Sequence, residues 1–163
     1  MKIKIDLRGV KPIGKCYRPK EKEDKDIMKV MLDKGAYIPE RAHAEDAGYD
    51  LRTPLSFDIQ GYSSFVVATG IHVQIPHGYA GLLISKSGLN VYHSITATGL
   101  IDSGYTGEIV VKLYKNSAGS YHFNRGDKIV QLVIIQISTP KILVVDEFQK
   151  TERGDNGFGS TGR

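Results

Sequence analysis

Short apolar stretches separated by turn residues run through most of this chain. Val and Ile, which favour pleated and packed surfaces, dominate several of these stretches. The strands that the pattern predicts are Ser56–Gln60, Phe65–Ile75, Tyr79–Ser85, Gly107–Tyr114, Tyr121–Phe123, Lys128–Ile137 and Ile142–Asp146. Turn signals recur at about the 8–12-residue spacing of a sandwich or barrel. Because the pattern does not alternate strands with helices, it predicts a mainly β fold.

The N-terminal part of the chain has a different pattern. Residues Met1–Leu7 alternate apolar and polar side chains, which predicts a half-buried strand. The segment 20–34 is charged, its apolar residues fall at helical spacing, and Gly35 follows where a helix C-cap would lie. Those apolar residues are Ile27, Met28, Met31 and Leu32. We therefore expect one short amphipathic helix in this segment.

Composition limits the classes of protein to consider. The chain has 163 residues, 40% hydrophobic and 25% charged, which suits one domain with a substantial core. No apolar run approaches the ~18–20 residues of a membrane helix, and the start lacks the apolar stretch of a secretion signal. A single cysteine, Cys16, cannot form an internal disulfide, so we expect a reducing, cytoplasmic compartment. The net charge of +4 is too mild to indicate a nucleic-acid surface, so we expect neither a nucleic-acid nor a membrane partner.

Three segments carry candidate chemistry. Ser85–Leu89 places a cation, a hydroxyl and a glycine at a strand end, where they can hold phosphate oxygens or form an ordinary turn. Asp102 follows two apolar residues and precedes a glycine turn, where a carboxylate can act as a general base or cap the turn. We expect Gly99–Ile109 to form a hairpin, in which Tyr105 lies near Asp102 and can offer a flat ring to a sugar. Gln131 is a polar side chain within an apolar strand and needs hydrogen-bond partners, in solvent or at an interface.

Other catalytic signatures are missing from the sequence. The five histidines show neither HxH nor HxxxH spacing, and the one cysteine stands apart from them. The sequence contains no GxxxxGK[ST] phosphate loop and no GxSxG nucleophile elbow. Nucleophilic catalysis through serine or cysteine therefore has little support.

Taken together and in order, five segments resemble the signature motifs of the trimeric deoxyuridine triphosphatase (dUTPase) family. The segments are Ala47–Leu51, Ser85–Asn90, Gly99–Ile109, Gly126–Leu132 and Arg153–Arg163. Each motif alone is weak, but five in the right order and at the right spacing are specific. The resemblance implies a distorted jelly-roll β-barrel over residues 1–148, with about 11–34 as a helical insertion. It also implies a flexible C-terminal arm over residues 149–163.

The resemblance implies a reaction and an assembly. The reaction is hydrolysis of dUTP to dUMP and pyrophosphate by attack of water on the α-phosphorus, with Mg²⁺ bound to the triphosphate. Such an activity keeps uracil out of DNA and supplies dUMP for thymidylate synthesis. The implied assembly is a homotrimer with three active sites at subunit interfaces, in which each arm closes over a neighbouring site.

The resemblance also implies roles for individual residues. Asp102 would orient and deprotonate the water, and Asp50 would hold the metal indirectly, through water. Tyr105 would exclude a ribose 2′-hydroxyl, Arg153 would clamp the terminal phosphates, and Phe158 would stack on uracil. The substrate-binding residues that it implies are Lys86, Ser87, Gly88, Gly99, Ile101, Tyr105, Gly107, Gln131, Arg153, Phe158, Gly159 and Ser160.

The chain departs from the family pattern at two points. The second motif usually carries Pro-Arg-Ser but here is Ser85-Lys86-Ser87, and a lysine keeps the charge without the bidentate fork of an arginine. Extra residues also lie between the N-terminal strand and the first motif. Two alternatives stay open: an enzyme of the dCTP deaminase branch, and a dUTP-gated regulatory binding protein that acts through residues 11–34.

Overall fold

Residues 27–155 are described by the structure, a computed structural model. They form ten β-strands and one short helix. In chain order these are β1 (Lys29–Leu32), β2 (Gly48–Arg52), β3 (Phe57–Ile59), β4 (Ser63–Gln74), β5 (Tyr79–Ser85), α1 (Ser87–His93), β6 (Ile95–Thr96), β7 (Thr98–Asp102), β8 (Glu108–Lys115), β9 (Tyr121–Phe123) and β10 (Lys128–Gln136). Within this part of the chain, no helix is long and apolar enough to cross a membrane.

The strands form three antiparallel sheets. The first has the order β1-β4-β8-β6, the second has the order β2-β10-β5-β7, and β3 pairs with β9. This arrangement confirms the mainly β, jelly-roll-like prediction, although the described residues form separate sheets rather than one closed barrel.

One hydrophobic core lies between the sheets. In β8, the buried residues Ile109, Val111 and Leu113 alternate with outward-facing side chains, as the two-residue period of a strand requires. They belong to the same buried cluster as Leu51 and Leu132 of the second sheet. Burial of this shared apolar surface is therefore what holds the two sheets together.

An aromatic group joins the small sheet to the first sheet. The ring of Phe57 in β3 stacks on Phe65 of β4, with ring centroids 4.1 Å apart, and on Phe123 of β9 at 4.8 Å. Tyr121 meets the edge of Phe123 at 4.7 Å. These contacts fix β9, and with it the segment that leads to the fourth motif.

The helix α1 was not predicted from the sequence. It begins after Lys86, whose backbone is extended, and ends at Ser94, which has the left-handed φ of 53°. Leu89 anchors the helix by its burial in the core. The helix is short and has one buried anchor, which is too little apolar periodicity to detect in a sequence.

The helix predicted over residues 20–34 is wrong for its described part. Lys29–Leu32 form strand β1, which pairs with Ile71–Gln74 of β4, and Gly35 lies in the following turn with φ of 91°. Apolar residues at this spacing fit either structure over so short a segment, and pairing with β4 decides it. Residues 20–26 and the predicted strand Met1–Leu7 lie outside the described residues.

Two further predictions need correction. Ile142–Asp146 is not a strand, and Ile142, Leu143 and Val144 are strongly exposed. The segment Gly99–Ile109 is not a hairpin, because β7 belongs to the second sheet and β8 to the first. The chain therefore crosses between sheets through residues 103–107, directly after Asp102. The other predicted strands match observed ones, and Tyr79–Ser85 and Tyr121–Phe123 match residue for residue.

Candidate active site

A buried carboxylate joins three of the predicted motifs. Asp50 in β2 is only 4% exposed. Its Oδ1 accepts a hydrogen bond from Lys86 Nζ at 2.5 Å, and its Oδ2 lies 2.6 Å from Lys128 Nζ. The first, second and fourth motifs thus meet at one residue, and we call Asp50, Lys86 and Lys128 the cationic cluster.

The two lysines set the protonation state of Asp50. Burial alone would raise the pKa of its carboxyl, but the hydrogen bonds and positive charges of Lys128 and Lys86 outweigh burial and hold that pKa below its ordinary value. Asp50 is therefore ionised at neutral pH, and its charge keeps the two ammonium groups side by side.

Backbone contacts hold the lysines in place. Lys86 lies between β5 and α1, and Ser85 Oγ just before it accepts from Ala97 N at 2.8 Å and donates to Ala97 O at 3.1 Å. Lys128 begins β10 after a turn at Gly126, which has a φ of 91°. Arg52 Nη1 donates to Gly126 O at 2.8 Å, which ties this turn to the end of β2.

A cleft of about 430 Å³ opens beside the cationic cluster. Three cations, Arg52, Lys86 and Lys128, line it. The other lining residues are Gly88, Leu89, Tyr92, His93, Tyr121, Phe123 and Asp127. Arg52 and Lys128 were not selected from the sequence, although each is a cation that lies within or directly beside a motif. The cleft is large enough and positive enough for phosphate groups.

Gln131 lies next to Asp50 on the same face of the second sheet. In the strand register Gln131 is opposite Asp50 on one side and Ile84 on the other. Gly48 leaves room for it, because a Cβ at Gly48 would lie 3.1 Å from the Cβ of Gln131. Ser87 and Gly88 are exposed at the start of α1, and a Cβ at Gly88 would meet nothing within 4 Å. These residues are therefore near the cationic cluster and accessible.

A second group of predicted residues surrounds Asp102, the exposed last residue of β7. The backbone N–H of Tyr105 donates to Asp102 O at 3.0 Å, and the Tyr105 hydroxyl donates to Glu108 O at 2.9 Å. The Tyr105 ring covers Gly107, where an added Cβ would lie 2.5 Å from the phenolic oxygen. Residues 103–107, which we call the Asp102 loop, thus present the ring in one fixed position.

Gly99 and Ile101 precede Asp102 in β7. The side chain of Ile101 is buried in the core, so this residue can contact a ligand only through its backbone. Gly99 is half-buried opposite Leu83, whose Cδ1 would lie 3.2 Å from a Cβ at this position. Both residues therefore offer backbone groups rather than side chains.

The Asp102 group and the cationic cluster share a sheet but are far apart. Asp102 is opposite Ala80, and Ala80 is opposite Ile135, which lies four residues beyond Gln131 in β10. Strands ~4.8 Å apart with a rise of ~3.3 Å per residue place the Cα atoms of Asp102 and Gln131 about 16 Å apart. A single copy of the chain therefore does not bring Asp102 next to Lys86.

The C-terminal residues of the predicted site are described only in part. Arg153 is exposed, and Gly154 after it has a φ of 49° and donates from its N–H to Thr151 Oγ1 at 3.0 Å. Phe158, Gly159 and Ser160 lie outside the described residues. Their assigned roles stay predictions.

The side chains near Asp50 fit a metal ion that keeps its water ligands better than one that side chains bind directly. Among residues 27–155, no group of three or more His, Cys, Asp or Glu side chains is placed to hold a metal ion. Both oxygens of Asp50 face lysine ammonium groups, but a carboxylate has about four lone-pair sites, so each oxygen can also accept from a water. Mg²⁺ keeps several waters when phosphates bind it, so an outer-sphere contact with Asp50 fits this ion.

Comparison with known proteins places the chain in a family. The dUTPase family model matches residues 34–162. The deoxyuridine 5′-triphosphate nucleotidohydrolase of Tropheryma whipplei is 41% identical over 137 residues, which are 82% of this chain and 94% of that protein. The dUTPase of Staphylococcus bacteriophage 80alpha, solved with dUpNHpp, superposes with a TM-score of 0.77 at 35% identity and covers 85% of this chain and 99% of its own.

A phage phi11 dUTPase mutant, solved to describe the coordination of a structural Mg(II) ion, has a TM-score of 0.71 at 32% identity, covering 76% of this chain and 99% of that one. The residues that the family model matches include the cationic cluster and the Asp102 loop. This chain belongs to the dUTPase family.

Proposed function

We propose that this chain hydrolyses dUTP to dUMP and pyrophosphate, the activity for which its curated relatives are named. The observation that carries the proposal is the buried Asp50 carboxylate. It holds Lys86 and Lys128 beside a cleft lined by a third cation, Arg52. A polyanionic ligand is what such a pre-ordered group of cations binds best, because the ammonium groups need no further ordering when the ligand arrives.

The triphosphate lies along the cationic cluster. Lys86, the Ser87 hydroxyl and the Gly88 amide contact phosphate oxygens, and Gln131 donates near the α-phosphate. Lys128 joins this set, because the same carboxylate that orients Lys86 orients it. Two lysines around one aspartate thus provide the positive charge for which the family's usual second motif uses one arginine.

Asp102 accepts a proton from the attacking water as the new bond to the α-phosphorus forms and the bond to the bridging oxygen of pyrophosphate breaks. A Mg²⁺ ion bound to the triphosphate would neutralise charge on the leaving pyrophosphate. Asp50 would accept hydrogen bonds from the water shell of this ion, and the lysines hold the phosphate oxygens in line for the attack.

Selectivity arises on the Asp102 loop. The Tyr105 ring, fixed over Gly107, lies against the deoxyribose and leaves no room for a 2′-hydroxyl. Backbone groups of β7 and the loop pair with the uracil edge, with Gly99 and Ile101 contributing through their main chains. Where uracil carries an N–H donor beside a carbonyl acceptor, cytosine carries an acceptor beside a donor. Cytosine would therefore leave backbone groups of the site unpaired, at a cost of about 1–3 kcal/mol each.

The active form is a homotrimer with shared sites. The Cα of Asp102 lies about 16 Å from that of Gln131, the neighbour of Asp50, within one copy, so we expect a second copy to supply Asp102 to the cluster. Exposed apolar side chains at Ile142 to Val144 also favour association, because contiguous apolar exposure is typical of an interaction surface.

The arm over 149–163 closes over a neighbouring site, where Arg153 binds the terminal phosphates and Phe158 stacks on uracil with Gly159 and Ser160 beside it. A cytoplasmic setting remains the expectation from the single cysteine.

A pyrophosphate-release assay with dUTP, UTP, dCTP and dTTP tests the activity. We expect turnover with dUTP alone, and loss of turnover but not of dUTP binding in Asp102→Asn. Ammonia release from dCTP would instead support the deaminase alternative, and dUTP binding without turnover would support the regulatory one. The names of the matched relatives favour neither alternative.

Removal of Glu152–Arg163 tests the arm. We expect a severe fall in kcat with the trimer intact, measured by steady-state kinetics and light scattering, because the arm acts on the bound substrate rather than on assembly. Full activity of the truncated chain would contradict the arm's role.

A further inference from the structure

His72 in β4 connects two segments that are distant in sequence. Its Nδ1 lies 3.1 Å from the carbonyl oxygen of Thr106, in the Asp102 loop. Its Nε2 lies 3.3 Å from Oδ2 of Asp33, in the turn that follows β1. The imidazole side chain is only 18% exposed. One side chain therefore connects the N-terminal edge of the first sheet to the loop between Asp102 and β8.

Both partners of this ring are acceptors. A carbonyl oxygen and a carboxylate offer no proton, so the ring must donate at both nitrogens to satisfy both contacts. Only the imidazolium form of a histidine donates at both nitrogens. The neutral form can keep one contact and loses the other. The bridge is therefore complete only when His72 is charged.

Neighbouring contacts hold the two ends of the bridge. Asp33 N donates to Gly70 O at 2.8 Å, and Gly70 N donates to Glu108 Oε1 at 2.6 Å. The Tyr105 hydroxyl donates to the main-chain oxygen of the same Glu108. The charged groups that act on His72 from the packed elements are Asp33, after β1, and Glu108, in β8. Both are acidic, so both favour the imidazolium.

We propose that His72 is a positioning residue for the Asp102 loop, and that its imidazolium fixes the loop in the position that presents Asp102 and Tyr105 to substrate. The catalytic part of this proposal rests on the proposed dUTP hydrolysis. The structural part does not, because the bridge between Asp33 and Thr106 exists in the chain without substrate.

The contacts also set the pH range of the bridge. The hydrogen bond to Thr106 O, then that to Asp33, raises the pKa of His72 above its ordinary value of 6.5. A raised pKa means that the bridge is complete below pH 6.5 and is lost as pH rises through the higher pKa of the folded protein. Loop order and kcat/KM therefore decline together on the alkaline side of that pKa.

NMR titration tests the structural part without turnover. We expect the His72 ring signals to titrate above pH 6.5, and the amide signals of Tyr105 and Thr106 to follow with the same midpoint. In Asp33→Asn the common midpoint moves down toward pH 6.5, and in His72→Gln the loop amides no longer titrate. His122→Gln is the matched control, because His122 also contacts an aspartate, Asp58 at 3.0 Å, but on the small sheet.

Kinetics test the catalytic part. At pH 6 we expect His72→Gln to lower kcat/KM by roughly tenfold, the equivalent of one lost charge-assisted hydrogen bond, and to remove the alkaline inflection that His122→Gln keeps. If the loop amide signals do not shift as His72 titrates, the proposal is overturned, whatever substrate the enzyme uses. If they do shift but the pH–rate profile is unchanged in His72→Gln, the catalytic part of the proposal is overturned. A wild type without dUTP turnover would overturn the proposed function instead. If His72→Gln does not fold, wild type and Asp33→Asn still decide the outcome.

Discussion

At the scale of single residues, Asp50 is the residue on which the candidate site depends most. It is buried, it is ionised, and its two oxygens face Lys86 and Lys128 from two other motifs. A charge in this position is tolerated because both lysines compensate it, and removing the carboxylate leaves two ammonium groups close together without a counter-charge.

We expect Asp50→Asn to lower the free energy of unfolding at pH 7 by about 1–3 kcal/mol and to raise KM for dUTP. Since the folded pKa of Asp50 is depressed, its stabilisation is present above the ordinary carboxyl pKa of 3.8 and is lost as pH falls below it. Urea unfolding between pH 7 and pH 3 should show that the gap in unfolding free energy between wild type and variant becomes smaller at the acid end. Asp58→Asn, at an exposed pair with His122, is the control and should cost less than about 0.5 kcal/mol. A gap that stays constant down to pH 3 would contradict the assignment.

Gly107 allows the Tyr105 ring to occupy its position, because the residue has no side chain. A Cβ at Gly107 would lie 2.5 Å from the phenolic oxygen, so we expect Gly107→Ala to displace the ring and to lower the preference for dUTP over UTP by roughly tenfold. The ratio of kcat/KM for the two nucleotides measures this. Gly104→Ala is the matched change in the same loop, because a Cβ there meets nothing within 4 Å. Equal selectivity of the two variants would show that the ring does not act by its position.

At the scale of elements, apolar stretches bounded by turn residues were predictable as strands, even the three residues of Tyr121–Phe123, whereas β1 and α1 were not. Tyr79–Ser85 was found with the same bounds, because dense apolar residues and flanking turn residues agree there. The apolar spacing of residues 29–32 predicts a helix, but the segment is strand β1, because its conformation depends on pairing with β4 rather than on its own residues. The helix α1 is not predicted because its only buried residue is Leu89, which leaves no apolar periodicity to detect.

The helix α1 also gives a test at this scale. Leu89 is 8% exposed, and Val91 on the same helix is 71% exposed. We expect Leu89→Ala to cost about 2–4 kcal/mol of unfolding free energy and to raise KM for dUTP, because the helix carries Ser87 and Gly88. Val91→Ala should change stability by less than about 0.5 kcal/mol. Thermal or urea unfolding of both variants, with KM measured on the folded fraction, makes the comparison. Similar costs for the two changes would show that α1 does not depend on its buried contact.

At the scale of the whole molecule, the sequence predicted which motifs matter but not how one copy arranges them. Asp50, Lys86 and Gln131 come together, although they belong to three distant segments. Lys128 and Arg52 were not selected, because a cation beside a motif looks like any surface charge until its partners are known. The sequence also assigned Asp102 to a hairpin, whereas β7 and β8 lie in different sheets. The distance between Asp102 and the cluster, from which we propose that a second copy completes the site, follows from strand register and not from sequence spacing.

The central claim is that Asp102 of one copy acts with the cationic cluster of another to hydrolyse dUTP. The most direct measurement mixes two inactive variants, Lys86→Ala and Asp102→Asn, refolds them together and measures pyrophosphate release from dUTP. Random assembly with each site built from two copies predicts recovery of about a quarter of the wild-type rate, because that fraction of sites receives an intact residue from both contributors. A mixture no more active than the separate variants, with mixed oligomers present, would contradict the claim.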